Sequence, residues 1–241
     1  MASFFGEVVS KSSRAFWYEE DEDGPAEREI TKPAFNVRWL KEKPDRINTL
    51  VVVEHEMLTD FTKECLCQDA EEACIIEDEK EQKNRIIIYH INDSVYLCIV
   101  SSHFNVTFSG LLMDKMSDLL QNTEKTICIT YRHISHFKSK DIPTVPSFLR
   151  MLTTKNGKNN CPLKETFLEQ PNIVYGVASA VLSYAEFMDL PSVLYILYTD
   201  SFELDSLSAE PLVKLFAAMN CTPHGVTFTG NKFFNKGNLY M

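Results

Sequence analysis

A helix-like stretch followed by a continuous apolar run sets the strongest limit on the fold of this chain. From Ile173 to Met188, apolar side chains recur every three to four residues, and Asn172 stands in position to cap such a helix. After Pro191-Ser192, residues 193–198 read VLYILY, which is typical of a strand covered on both faces. Alternation of helices with such strands predicts an α/β layered domain, a mixed central sheet flanked by helices.

The remaining segments extend this alternation. Strands are predicted over 50–53 and 127–131, and helices over 57–67, 108–120 and 211–219. A helical turn is predicted over 148–152. Residues 86–91 and 95–100 are predicted to form a hairpin around Asn92-Asp93-Ser94. The predicted organisation is a poorly ordered N-terminal arm over 1–45, an α/β domain over 46–219 and an extended C-terminal tail over 220–241.

Charge is concentrated in two places along the 241 residues. The formal net charge is -10, and the acidic stretches 19–29 and 69–81 contribute -12 of it, so the remainder is about neutral. Both stretches are interpreted as solvated segments, and the net negative charge disfavours a nucleic-acid binder.

No apolar run approaches the ~20 residues of a membrane span. The seven cysteines, an odd and scattered set, favour free thiols in a reducing compartment. We therefore expect a cytoplasmic protein, with the nucleus or the endoplasmic reticulum surface left open.

Few residues combine into a catalytic pattern. A phosphate-binding glycine loop and a Gly-x-Ser-x-Gly elbow around Ser183 are both missing from the sequence. Three clusters have a catalytic or metal-binding alternative, and for each the structural interpretation is favoured: His133 with His136, Cys65 with Cys67 and Cys74, and Glu54-His55-Glu56 after the first strand. No catalytic residue, cofactor or metal is predicted.

The end of the chain is more informative. Beyond Glu210 no acidic residue occurs, and the last three residues are Leu239, Tyr240 and Met241. An aliphatic residue, a tyrosine and a free terminal carboxylate form a compact recognition element, because the ring can fill a slot while the carboxylate accepts charge-assisted hydrogen bonds.

Several stretches, taken in order, resemble the eukaryotic proteasome assembly chaperone 1 family. They are FFGEVV at 4–9, ITYRHISHFKSK at 129–140, PSFLRML at 146–152, LEQPNIV at 168–174, AVLSY at 180–184 and LYILYTDSFELD at 194–205. The similarity is dense over 127–205, weaker over 31–104, and missing from most of the tail apart from its end.

This resemblance implies a chaperone without enzymatic activity. Its members pair with proteasome assembly chaperone 2, help alpha subunits of the 20S core close into a ring, and block dimerisation of that ring. Their C-terminal hydrophobic-Tyr-any motif inserts between adjacent alpha subunits, and here that motif is Leu239, Tyr240 and Met241. The family fold resembles the nucleoside phosphorylase architecture without its catalytic residues.

Two other functions remain open at the level of sequence. One is a phosphorylase-like enzyme acting on a small nucleoside, which needs a phosphate pocket and a purine-facing acid. The other is an interaction adaptor whose acidic segment at 19–29 recruits a basic partner.

Overall fold

Strands and helices alternate along most of the chain. The computed structural model describes residues 32–79, 84–201 and 203–221. The strands are β1 (Phe35–Trp39), β2 (Ile47–Val53), β3 (Glu71–Asp78), β4 (Ile86–Asn92), β5 (Val95–Val100), β6 (Thr123–His133), β7 (Ser147–Thr153) and β8 (Ser192–Thr199). The α-helices are α1 (Glu56–Leu66), α2 (Ser109–Gln121), α3 (Val177–Phe187) and α4 (Glu210–Ala218).

These strands form one mixed sheet in the order β1-β3-β4-β5-β2-β6-β8-β7. The four central strands β5, β2, β6 and β8 are parallel, and the outer strands pair antiparallel. Helices α2 and α3 cover one face, and α1 and α4 cover the other. Every residue of β8 is buried, as expected for a strand between two helical layers. The predicted α/β layered class with a mixed sheet is confirmed.

The predicted hairpin is also present. Strands β4 and β5 pair antiparallel, and the Asn92 side-chain oxygen accepts a hydrogen bond from the Ser94 N–H at 3.0 Å. Such Asx turns explain why Asn and Asp favour tight reversals. The predicted helices at 57–67, 108–120 and 211–219 correspond to α1, α2 and α4. In α2, Leu112, Met116 and Leu119 face the core, as the helical spacing predicts.

Four predictions about local structure differ from the observed fold. Residues 35–39, assigned to the arm, form edge strand β1. The acidic stretch 69–81 contains β3, because its acids flank the buried run Ala73–Ile76. Residues 148–152 lie in strand β7 rather than in a helical turn, since Phe148 and Leu149 contact opposite faces of the sheet.

The fourth difference concerns the beginning of α3. This helix begins at Val177, so Asn172 does not cap it, and the Ile173 side chain is 81% exposed rather than part of the buried stripe. Residues 171–175 instead alternate between exposed and half-buried positions, as an extended segment does.

Among residues 32–79, 84–201 and 203–221, no helix has the length and apolar character that crossing a membrane requires.

Candidate interaction surface

The carboxyl ends of the parallel strands gather some of the polar residues that the sequence had singled out, together with Arg132 and Asp200. Glu54 and His55 follow β2, Arg132 and His133 end β6, and Asp200 follows β8. In open α/β sheets this edge is where functional groups usually collect. The contacts of each side chain determine what the edge can do.

Glu54 is committed to the beginning of α3. Its carboxylate accepts hydrogen bonds from the Val177 N–H at 2.8 Å and the Ala178 N–H at 3.0 Å. These are backbone donors that a helix leaves without internal partners, and the positive end of the helix dipole favours an acid there. Burial raises the pKa of Glu54, while the two N–H donors and the Arg132 charge act in the opposite direction. Glu54 therefore fixes where α3 begins.

Gly176 makes this arrangement possible. Its φ is +108°, in the region that favours glycine, and a Cβ at this position would lie only 2.6 Å from Glu54 Oε2. The backbone therefore approaches the carboxylate more closely than any side chain allows.

The histidines of this edge are also engaged. The His55 ring packs on Tyr131 with centroids 4.5 Å apart, and desolvation followed by the Arg132 charge lowers the pKa of His55. His133 contacts the Ser135 hydroxyl at 2.8 Å and the Asp200 carbonyl at 3.1 Å. The part of the chain that the structure describes contains no cluster of metal-ligating side chains, so it does not join His133 and His136 into a metal site.

The cysteines and Ser183 have structural environments. All seven cysteines are free thiols, and burial raises the pKa of Cys67 to about 12 and that of Cys74 to about 11. Such thiols are protonated at neutral pH and therefore weak nucleophiles. The Ser183 hydroxyl donates to the Ser179 carbonyl within α3.

An exposed apolar surface lies next to this edge, on the extended segment before α3. Ile173 is 81% exposed and Tyr175 is 63% exposed. The Arg132 guanidinium carbon lies 3.9 Å from the centre of the Tyr175 ring, and Arg132 Nη2 donates to the Tyr175 carbonyl at 2.5 Å. We call Ile173, Tyr175 and the supporting Arg132 the Tyr175 surface.

Asn172 fixes the other end of the same segment. Its Oδ1 accepts from the Lys138 N–H at 2.7 Å, and its Nδ2 donates to the Lys138 carbonyl at 2.8 Å. One amide side chain thus satisfies both backbone groups of a residue in the loop after β6. The segment that carries the Tyr175 surface is therefore held at both ends by hydrogen bonds to distant parts of the chain.

Sequence comparisons assign this fold to a family. A family profile described as "PAC1: Proteasome assembly chaperone 4" matches residues 64–224. Human "Proteasome assembly chaperone 1" is 32% identical over 251 residues, covering 87% of this chain and 85% of the human protein. The chain belongs to the proteasome assembly chaperone 1 family. A relative of the same name from Nematostella vectensis is 26% identical over 209 residues, covering 79% of this chain and 81% of that protein.

Solved structures support the fold of this family member. Pyrococcus furiosus PbaA, described as an archaeal homolog of proteasome-assembly chaperone, aligns with a TM-score of 0.57 at 15% identity, covering 78% of this chain and 87% of PbaA. PbaB of the same organism, described as an archaeal proteasome activator, aligns with a TM-score of 0.51 at 11% identity, covering 77% of this chain and 90% of PbaB. At these identities the likeness concerns the fold alone.

The structure does not test the binding residues named from the sequence. Leu239, Tyr240 and Met241 are outside the described residues, so their assignment stays a prediction. The Tyr175 surface was not predicted, because the helical spacing places Ile173 on the buried face of a helix. The available signals were Pro171, which disfavours helix for the residue before it, and Gly176, which suits a break just before α3.

Proposed function

We propose that this chain promotes assembly of the 20S proteasome as a heterodimer with proteasome assembly chaperone 2. The observation that carries the proposal is the family membership, which extends over most of the chain. In this role the pair binds alpha subunits, scaffolds their closure into a ring and prevents two alpha rings from dimerising. The proposed site of action is the cytoplasm, with the nucleus and the endoplasmic reticulum surface as further locations.

The proposed contact with the ring is the C-terminal tail. Leu239 and Tyr240 enter a groove between adjacent alpha subunits, and the terminal carboxylate of Met241 accepts charge-assisted hydrogen bonds there. One such contact contributes ~1.5–3 kcal/mol net, and ordering the peptide offsets part of it. Tethering the tail to a body with its own contacts makes the later contacts intramolecular, which raises avidity by about 100-fold or more.

Reconstitution tests this function. Purified alpha subunits are mixed with the chaperone pair, with each chaperone alone, or with neither, and native mass spectrometry counts single and double rings. The proposal expects the pair to increase single seven-membered rings and to suppress double rings. An unchanged distribution of rings with the pair present contradicts it.

Deletion of Leu239 to Met241 tests the tail separately. The truncated chain should fold normally and still pair with its partner, but capture fewer alpha subunits. Equal capture by the truncated and full-length chains rejects the assignment of the tail and leaves the chaperone function to other surfaces.

A further inference from the structure

The Tyr175 surface has the composition of a binding hot spot. Tyrosine and arginine are among the residues most enriched where truncation costs most binding energy, and here Tyr175 lies on Arg132 beside the exposed Ile173. Two more exposed apolar side chains, Ile142 at 51% and Val145 at 49%, occupy the loop that connects this end of β6 to β7. A single exposed apolar residue needs no explanation, but this group at one end of the sheet does.

The surface is also ordered before anything binds it. Asn172 holds the Lys138 backbone, Arg132 holds the Tyr175 carbonyl, and Glu54 holds the beginning of α3. Ordering flexible side chains and loops is one of the main costs of association. A partner that docks here avoids much of that cost, as expected of a contact between two folded proteins.

The described chain ends at the opposite end of the sheet. Met219 and Asn220, just before the end of the described chain, line an open cleft of about 400 Å³ with Asn48, Thr49, Ser94 and Lys125. These four lie at or beside the amino ends of β2, β5 and β6, whereas Arg132 lies at the carboxyl end of β6. At about 3.3 Å per residue, Lys125 and Arg132 are separated by roughly 23 Å along the strand.

We propose that the Tyr175 surface binds the second chaperone subunit, while the edge at which the described chain ends faces the alpha ring. This inference rests on the proposed function, because it assigns the heterodimer contact to a definite surface. If the tail reaches the ring by the shortest path, the opposite end of the sheet points away from the ring and stays open to a partner. Lys138 makes no ion pair with any of the described residues, so the matching partner surface is an apolar pocket with an acidic rim.

The test is heterodimer formation by a double variant, Ile173→Ser with Tyr175→Ala, in the full-length chain. Co-expression with proteasome assembly chaperone 2, followed by size-exclusion chromatography with light scattering, gives the stoichiometry, and titration gives the affinity. We expect the affinity to fall at least about tenfold. The control is Phe187→Ser, which removes an 84% exposed ring at the carboxyl end of α3 and should leave pairing unchanged.

A second variant avoids any doubt about folding. Lys138→Glu reverses an exposed charge while the backbone contacts to Asn172 remain, so it should keep the wild-type melting temperature and weaken pairing. Normal pairing by both variants overturns the inference while the proposed function stands. A wild-type chain that does not pair at all removes the heterodimer and the inference together. A wild-type homodimer that the double variant disrupts also overturns it, since the surface then serves self-association.

Discussion

The two hydrogen bonds between Glu54 and the beginning of α3 give the sharpest prediction about the domain itself. Glu54→Ala leaves the N–H groups of Val177 and Ala178 without their acceptor. Each hydrogen bond to a charged acceptor is worth ~1.5–3 kcal/mol net, and desolvation of the carboxylate, which raises the pKa of Glu54, offsets part of that gain. Loss of a helix cap usually costs ~0.5–2 kcal/mol, so we expect the free energy of unfolding to fall by about 1–3 kcal/mol.

Chemical denaturation followed by circular dichroism measures this loss, and a thermal melt should show a decrease of roughly 3–10 °C. Glu54→Gln keeps one acceptor and presents a donor to the other N–H, so it should be intermediate at neutral pH. Glu64→Ala, which removes an exposed acid from α1, is the matched control and should change little. A Glu54→Ala variant within about 0.5 kcal/mol of wild type refutes the role given to the carboxylate.

Three further predictions follow from the same segment. Since the pKa of Glu54 lies above its ordinary 4.5, the pH-dependent part of its contribution to stability is complete below pH 4.5 and is lost as the pH rises through the raised pKa, while the two hydrogen bonds to its carboxylate remain. The unfolding free energy of wild type minus that of Glu54→Gln should therefore decrease over this window, and a constant difference contradicts the assignment. Gly176→Ala should lower the free energy of unfolding by ~1–3 kcal/mol, because φ at this position is +108°. The control is Gly110→Ala in α2, where an added Cβ has open space and should not lower stability. Equal effects of the two substitutions argue against backbone strain at Gly176. Asn172→Ala should lower the free energy of unfolding by ~1–2 kcal/mol and speed hydrogen exchange at the Lys138 amide, which loses its acceptor. An unchanged exchange rate at Lys138 would disprove this role of Asn172.

The local sequence pattern was sufficient to predict elements whose environment a single short stretch determines. The continuous apolar run of β8 predicts a strand between two layers, and Asn92 predicts the reversal between β4 and β5. Strand β3 was not predicted, because acids lie on both sides of Ala73–Ile76 and their charge suggested a solvated loop. The four apolar residues between them are nevertheless buried in the sheet.

The Tyr175 surface could not be predicted from local pattern, because distant residues define it. The helical period from Ile173 onward is real, but Glu54 selects Val177 as the first helical residue from 123 positions away. Likewise Asn172, a good cap by type, bonds instead to Lys138, 34 positions before it. Competition between such tertiary partners and local propensity is decided only in the folded chain.

An affinity measurement tests whether the last three residues of the chain anchor it to the alpha ring. The heterodimer is titrated against half-assembled 20S cores, once with the wild-type chain and once with Tyr240→Ala. A tyrosine that anchors a binding site contributes about 2 kcal/mol or more, so the dissociation constant should rise by roughly 30-fold. A dissociation constant within about twofold of wild type contradicts the claim, since a 2 kcal/mol anchor cannot be lost at so small a cost.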